Sequence, residues 1–141
     1  MLKSSITWDK EMAFDVNIGG YNFMIDADAK VGGKDRGPSP KPLLLVALGG
    51  CTAMDVISIL KKMQVKVDSF DVDVAARSTD VHPKYYDKFV ISYIFEGENL
   101  PIKKIKRAVE LSETRYCGVS FMFKKTSEIE SKIIINGEEI K

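Results

Sequence analysis

Apolar and polar residues alternate from Ser4 to Lys10, from Ala13 to Ile18 and from Tyr21 to Asp26, the period of strands that bury one face. Gly19-Gly20, between the last two, is a two-residue hairpin signal, so three antiparallel strands are predicted to open the chain. The pattern changes at Pro40. The stretch PKPLLLVALGGCTAMDVISILKKM, ending at Met63, is the longest apolar run, and Asp55 is the one charge between Leu43 and Leu60. It predicts a buried helix. Ser39 can act as its N-cap, Pro40 and Pro42 fall in the first turn where a missing N–H costs little, and Lys61 and Lys62 suit the negative end of its dipole. Apolar on nearly every face, such a helix must be covered on nearly every side.

Alternation returns in Val65 to Ser78, where Phe70, Val72, Val74 and Ala76 share the face opposite Asp71, Asp73 and Ala75. It recurs in Tyr85 to Glu96, where Phe89, Ile91, Tyr93 and Phe95 alternate with Lys88, Val90, Ser92 and Ile94. Asn99-Leu100-Pro101 then opens an amphipathic helix, Ile102 to Tyr116, with Ile105, Val109 and Leu111 as its apolar stripe. Cys117-Gly118-Val119-Ser120 breaks that helix ahead of a short helical turn over Val119 to Lys125, and Glu128 to Ile135 is a last strand, ended by Asn136-Gly137. The order predicts an α+β fold, an antiparallel sheet with its helices on one face. Six strands and one amphipathic helix do not cover a helix that is apolar all round; a homodimer burying the two central helices against one another would.

At 141 residues and 45% apolar the chain is expected to be a single domain, 1–141. A net charge of +1 with well-mixed signs points neither to nucleic acid nor to an acidic membrane surface. Membrane insertion is the rival reading of the central run, since about 18 apolar residues approach a bilayer span. Gly49-Gly50-Cys51-Thr52, Asp55 and Ser58 interrupt it, there is no second apolar segment, and 29% of the chain is charged, so no membrane role is expected. MLKSSITWDKEMAF lacks a signal-peptide apolar region, which predicts a cytoplasmic location.

Two cysteines, Cys51 and Cys117, make no disulfide framework and, with His82 as the single histidine, no zinc spacing. Taken alone they read first as packing and second as redox chemistry. His82 stands beside Pro83 at a turn and reads as structural or solvated. Gly32-Gly33-Lys34 lacks the Walker A spacing; the Gly-rich charged loop from Ala27 to Pro38 is the candidate mobile segment near Cys51. Adjacent glycines in mid-helix cost about 1 kcal/mol each relative to alanine, so Gly49-Gly50 asks for close approach of another element or of a ligand. No metal, flavin or haem motif is present, and no cofactor is expected.

GPSPKPLLLVALGGCTAMDVISILKKMQV followed by VELSETRYCGVSFMFKK, in a chain of this length and strand order, resembles the OsmC/Ohr family of thiol peroxidases, particularly its OsmC-like subgroup. The resemblance covers essentially the whole chain. It implies an OsmC-like fold, an intertwined homodimer with active sites at the subunit interface, and reduction of organic hydroperoxides in oxidative stress defence, with electrons from an external dithiol. Carried over, Cys51 attacks the peroxide and Cys117 resolves. The chemistry requires a thiolate, a path for the peroxide and a partner thiol that forms a disulfide before over-oxidation. Cys51 lies about three turns into its helix, beyond help from the helix dipole, and Asp55 at i+4 would raise its pKa. A cation must come from another segment, Arg36 first and Arg115 second.

Where the hydroperoxide reductases of the family carry an activating arginine in the early strands and a glutamate near the start of the central helix, this chain offers Lys3 and Lys10, and Lys41 or Pro42. Cys117 stands just before a helix start, where the dipole would lower its pKa, so physics alone nominates Cys117 as nucleophile while the resemblance nominates Cys51. Leu44, Ala47, Leu48, Met54, Phe121 and Met122 could line an apolar pocket or simply be core; Leu48, Met54 and Phe121 are the predicted substrate contacts. The alternative is an OsmC-like binding protein or redox sensor that keeps an interface pocket but has little peroxidase turnover.

Overall fold

The three opening strands pair as predicted into a sheet of their own: β1 (Ser4–Trp8), β2 (Phe14–Ile18) and β3 (Tyr21–Ile25), antiparallel throughout, with Ile18 opposite Tyr21 across the Gly19-Gly20 turn. In this computed structural model, which describes residues 1–141, the sheet belongs to one of two units, Met1–Leu44 and Leu45–Lys141. The loop after β3 is tied down rather than free. Asp26, 2% exposed, accepts backbone N–H bonds from Ala27 (2.8 Å), Lys34 (3.1 Å) and Arg36 (3.2 Å), and its own N–H donates to the Pro38 carbonyl at 3.2 Å. Gly33 makes the wrapping possible, because a Cβ there would sit 1.7 Å from the Ala27 carbonyl oxygen. The segment expected to be mobile thus closes around a buried carboxylate.

The central helix, α1 (Leu43–Lys62), begins three residues later than the sequence suggests. The N–H groups of Leu43 and Leu44 bond the carbonyls of Pro40 and Lys41, both at 3.1 Å. Both prolines therefore occupy a turn ahead of the helix, and Ser39 stands too far upstream to be its N-cap. In the second unit, α1 buries Leu48, Thr52, Val56, Ile59 and Leu60. By length and apolarity α1 could also cross a bilayer, as its composition suggests.

The second sheet is β4 (Ser69–Ser78), β5 (Tyr86–Glu96), β6 (Glu128–Ile135) and β7 (Glu138–Ile140) in that spatial order. The expectation of one antiparallel sheet is corrected here: there are two sheets, and β6 runs parallel to β5, Phe89 opposite Ile129 and Phe95 opposite Ile135. The helical stretch between them is the reason. Two helices, α2 (Ile102–Leu111) and α3 (Gly118–Phe123), joined by a π-helical turn at Ser112–Tyr116, carry the chain back to the end where β5 began. Asn136-Gly137 does not end the strands but turns into β7, which pairs antiparallel with β6.

The core follows the sequence pattern closely. Phe89, Ile91, Tyr93 and Phe95 of β5 are buried together with Leu48, Val56, Leu60, Ile105, Ala108 and Val109, each large side chain worth roughly 1.5–3 kcal/mol for leaving water. Gly49 answers the question its sequence posed, since a Cβ there would lie 2.9 Å from Cγ2 of Val74 on β4. At Gly50 a Cβ would meet nothing. The outward face of α1 stays uncovered, with Val46 67% and Met54 74% exposed.

Candidate functional site

Residues 51 and 55 are one helical turn apart and share a face of α1, which places the Cys51 thiol beside the Asp55 carboxylate. Cys117 arrives from the other side. The two sulfur atoms and a carboxylate oxygen of Asp55 all lie within 4.8 Å of one another. A disulfide needs the sulfurs at about 2.05 Å, so the pair stands a modest rearrangement short of bonding.

The π-helical turn is what positions Cys117. Its N–H donates to the Ser112 carbonyl at 2.8 Å, its backbone leaves the helix for an extended conformation, and it becomes the N-cap of α3. Its Sγ accepts the Ser120 N–H at 3.3 Å. The buried Ser112 reaches the other way, donating from Oγ to Asp55 Oδ2 at 3.3 Å, so one turn fixes both Cys117 and the carboxylate. Single π turns inside helices recur at functional sites for this kind of local redirection.

The two thiols differ in access and in electrostatics. Cys117 is 3% exposed, whereas Cys51 is half-buried. Burial pushes the Cys51 thiol above its ordinary value of 9.0; pairing with Cys117 and the Asp55 charge push the same way, against a lowering by the Val119 N–H. The upward pressure from Asp55 is the one read from the sequence. Behind Cys117 lies a polar network. Tyr93 donates from its hydroxyl to Glu113 Oε1 at 3.1 Å, Ser131 Oγ donates to the same oxygen, and Lys124 Nζ donates to the Glu113 carbonyl at 3.0 Å. Burial first, then Glu113, lifts the Tyr93 phenol far above the usual tyrosine range, so it remains a neutral donor. Sequence reasoning singled out none of Ser112, Glu113 and Ser131, which meet the site only through the crossover.

The remaining predicted residues scatter. Arg36 belongs to the first unit, where Nε donates to Asp26 at 3.4 Å and the guanidinium lies 3.6 Å from Glu11 and 3.9 Å from Asp9, so three carboxylates share its charge. Arg115 lies over the Tyr116 ring, 5.6 Å from its centroid. Leu48 is fully buried in the core, a packing position, and Met54 is on the open face of α1. Phe121 alone of the three predicted substrate contacts borders a cleft beside a cysteine, of about 420 Å³ and lined also by Cys117, Glu113, Arg115, Tyr116 and Lys124. A second cleft of about 310 Å³ opens on Asp55, between Ser58, Lys62, Leu111 and Tyr116.

Residues 32–132 match the family model described as OsmC-like protein. The chain is 29% identical over 129 residues to Protein YhfA of Escherichia coli K12, which covers 91% of this chain and 93% of that one. It superposes on a hypothetical protein from Aquifex aeolicus VF5 with a TM-score of 0.86 at 26% identity, over 99% of this chain and 98% of the other. An organic hydroperoxide resistance protein from Elizabethkingia anophelis matches with a TM-score of 0.75 at 12% identity, over 96% of each chain, a likeness of fold alone.

Proposed function

Since the chain belongs to the OsmC-like protein family, some of whose structural relatives are organic hydroperoxide resistance proteins, we propose that it reduces organic hydroperoxides through Cys51 and Cys117, as a homodimer in the cytoplasm. One observation carries the reading: two thiols from elements distant in sequence lie within 4.8 Å of one another. Exposure supports Cys51 as the attacking thiol, because a peroxide must reach the sulfur and Cys117 is sealed. The Cys51 thiolate attacks a peroxide oxygen; an S–O bond forms, the O–O bond breaks, and the leaving alkoxide takes a proton to depart as alcohol. Cys117 then attacks the sulfenic sulfur; the S–S bond forms, the S–O bond breaks, and water leaves with the thiol proton. An external dithiol restores both thiols by exchange, in a compartment that keeps them reduced.

A second reading, a redox sensor or binding protein with slow turnover, is favoured by the raised Cys51 thiol and by the carboxylates that share the charge of Arg36. Steady-state consumption of cumene hydroperoxide with a dithiol reductant separates the two. The enzyme reading expects Cys51→Ser to fall to the uncatalysed rate, and Cys117→Ser to turn over once and then accumulate sulfinic acid at residue 51. Equal rates for wild type and Cys51→Ser would remove the nucleophile assignment.

A further inference from the structure

The constellation that holds the thiols includes a carboxylate that the disulfide cycle does not use. We propose that Cys51, Asp55 and Cys117 form a three-ligand site for a thiophilic divalent cation of the zinc class, with a fourth position left to solvent. Two sulfurs and one oxygen are already within 4.8 Å of one another. A tetrahedral zinc ion, with bonds of about 2.3 Å to sulfur and 2.0–2.2 Å to oxygen, holds such donors roughly 3.5–3.8 Å apart, so the set needs only to contract.

Two of the three donors are already held by hydrogen bonds. Ser112 Oγ donates to Asp55 Oδ2 at 3.3 Å, the hydrogen bond that fixes a ligating carboxylate. The Ser120 N–H donates to Cys117 Sγ at 3.3 Å, a backbone donor able to stabilise that sulfur as thiolate. Cys51 and Asp55 are half-buried rather than sealed, and the cleft of about 310 Å³ that opens on Asp55 is the side from which an ion and a water as fourth ligand would enter. Two thiolates in a set of three select zinc, cadmium or cobalt over magnesium and calcium, which prefer oxygen throughout. The 66 positions between the cysteines are why no zinc spacing is visible in the sequence. Occupancy commits both sulfurs, so metal binding and peroxide reduction exclude one another; that exclusion rests on the proposed function, whereas the site does not.

The test is titration of the full chain, reduced with a phosphine and kept anaerobic, with cobalt(II) followed by zinc competition. The expected result is one cobalt per chain with a near-ultraviolet thiolate-to-cobalt band and the intense visible bands of tetrahedral coordination, both abolished by zinc. Cys51→Ser and Cys117→Ser should each lower the charge-transfer intensity by about half. Asp55→Asn should keep that intensity and weaken affinity at least tenfold. A wild-type spectrum without the thiolate band, or a band whose intensity is undiminished by loss of either cysteine, would overturn the site. Asp55→Asn binding as tightly as wild type would overturn the three-ligand set. None of these outcomes depends on peroxide, so failure of the metal site and failure of the thiol cycle are read separately.

Discussion

Cys51 carries its proton more tightly than an ordinary thiol because burial, Cys117 and Asp55 all disfavour its thiolate. Its reaction with iodoacetamide at pH 7 should therefore be slower than that of free cysteine and should rise past pH 9. Asp55→Asn removes one of the three upward pressures and should move that profile to lower pH; an unchanged profile would mean that Asp55 does not act on the sulfur. The sign for folding follows by linkage. The folded thiol holds its proton where the unfolded one releases it, so this contribution to stability is intact below the ordinary thiol pKa and is lost as pH rises through the raised value. Asp26 has the opposite sense. Burial alone would raise its carboxyl, but N–H donors from Ala27, Lys34 and Arg36 and the Arg36 guanidinium outweigh that and hold it below 3.8. Its contribution is present at neutral pH and is lost as pH falls through the lowered value. Asp26→Asn should thus unfold more easily than wild type at pH 7, with the difference shrinking in urea titrations repeated below pH 3.8. The thiols and Asp55 were legible in the sequence because their residue types declare their chemistry. Ser112 was not, since a serine gains its meaning only from the carboxylate it meets 57 positions away.

Among the elements, α1 and β4 meet closely at Gly49. The missing side chain at Gly49 lets Val74 approach, and a methyl group there would stand 2.9 Å from Val74 Cγ2. Gly49→Ala should cost about 1–3 kcal/mol in urea denaturation despite the better helix propensity of alanine, because a β-branched neighbour has little freedom to move aside. A gain in stability would show that the contact is loose. The strands and α1 were readable because period-2 and all-apolar patterns come directly from one-sided and all-round burial. The π-helical turn was hidden inside a stretch that continues the helical pattern, and the parallel placement of β6 depends on where the crossover delivers the chain. Neither is local. The loop that wraps Asp26 was misread as mobile because glycines and charges signal freedom until a buried carboxylate gathers their N–H groups.

For the whole molecule, the sequence demanded cover for a helix that is apolar on nearly every face, and the single chain leaves Val46 and Met54 on that helix largely open. A homodimer that buries this face is the proposed remedy. Sedimentation equilibrium should give twice the chain mass of 15.8 kDa, and Val46→Asp with Met54→Asp should return it to the monomer; a monomeric wild type at micromolar concentration would contradict the dimer. Cys51 and Cys117 are proposed to work as a redox pair. The most direct measurement of that pairing is the intact mass of the reduced protein after brief exposure to one equivalent of cumene hydroperoxide, with peptide mapping and with hydrogen peroxide as comparison. The expected result is loss of two hydrogens and a Cys51–Cys117 disulfide, formed faster with the organic peroxide. An unchanged mass, with both thiols recovered free, would contradict it.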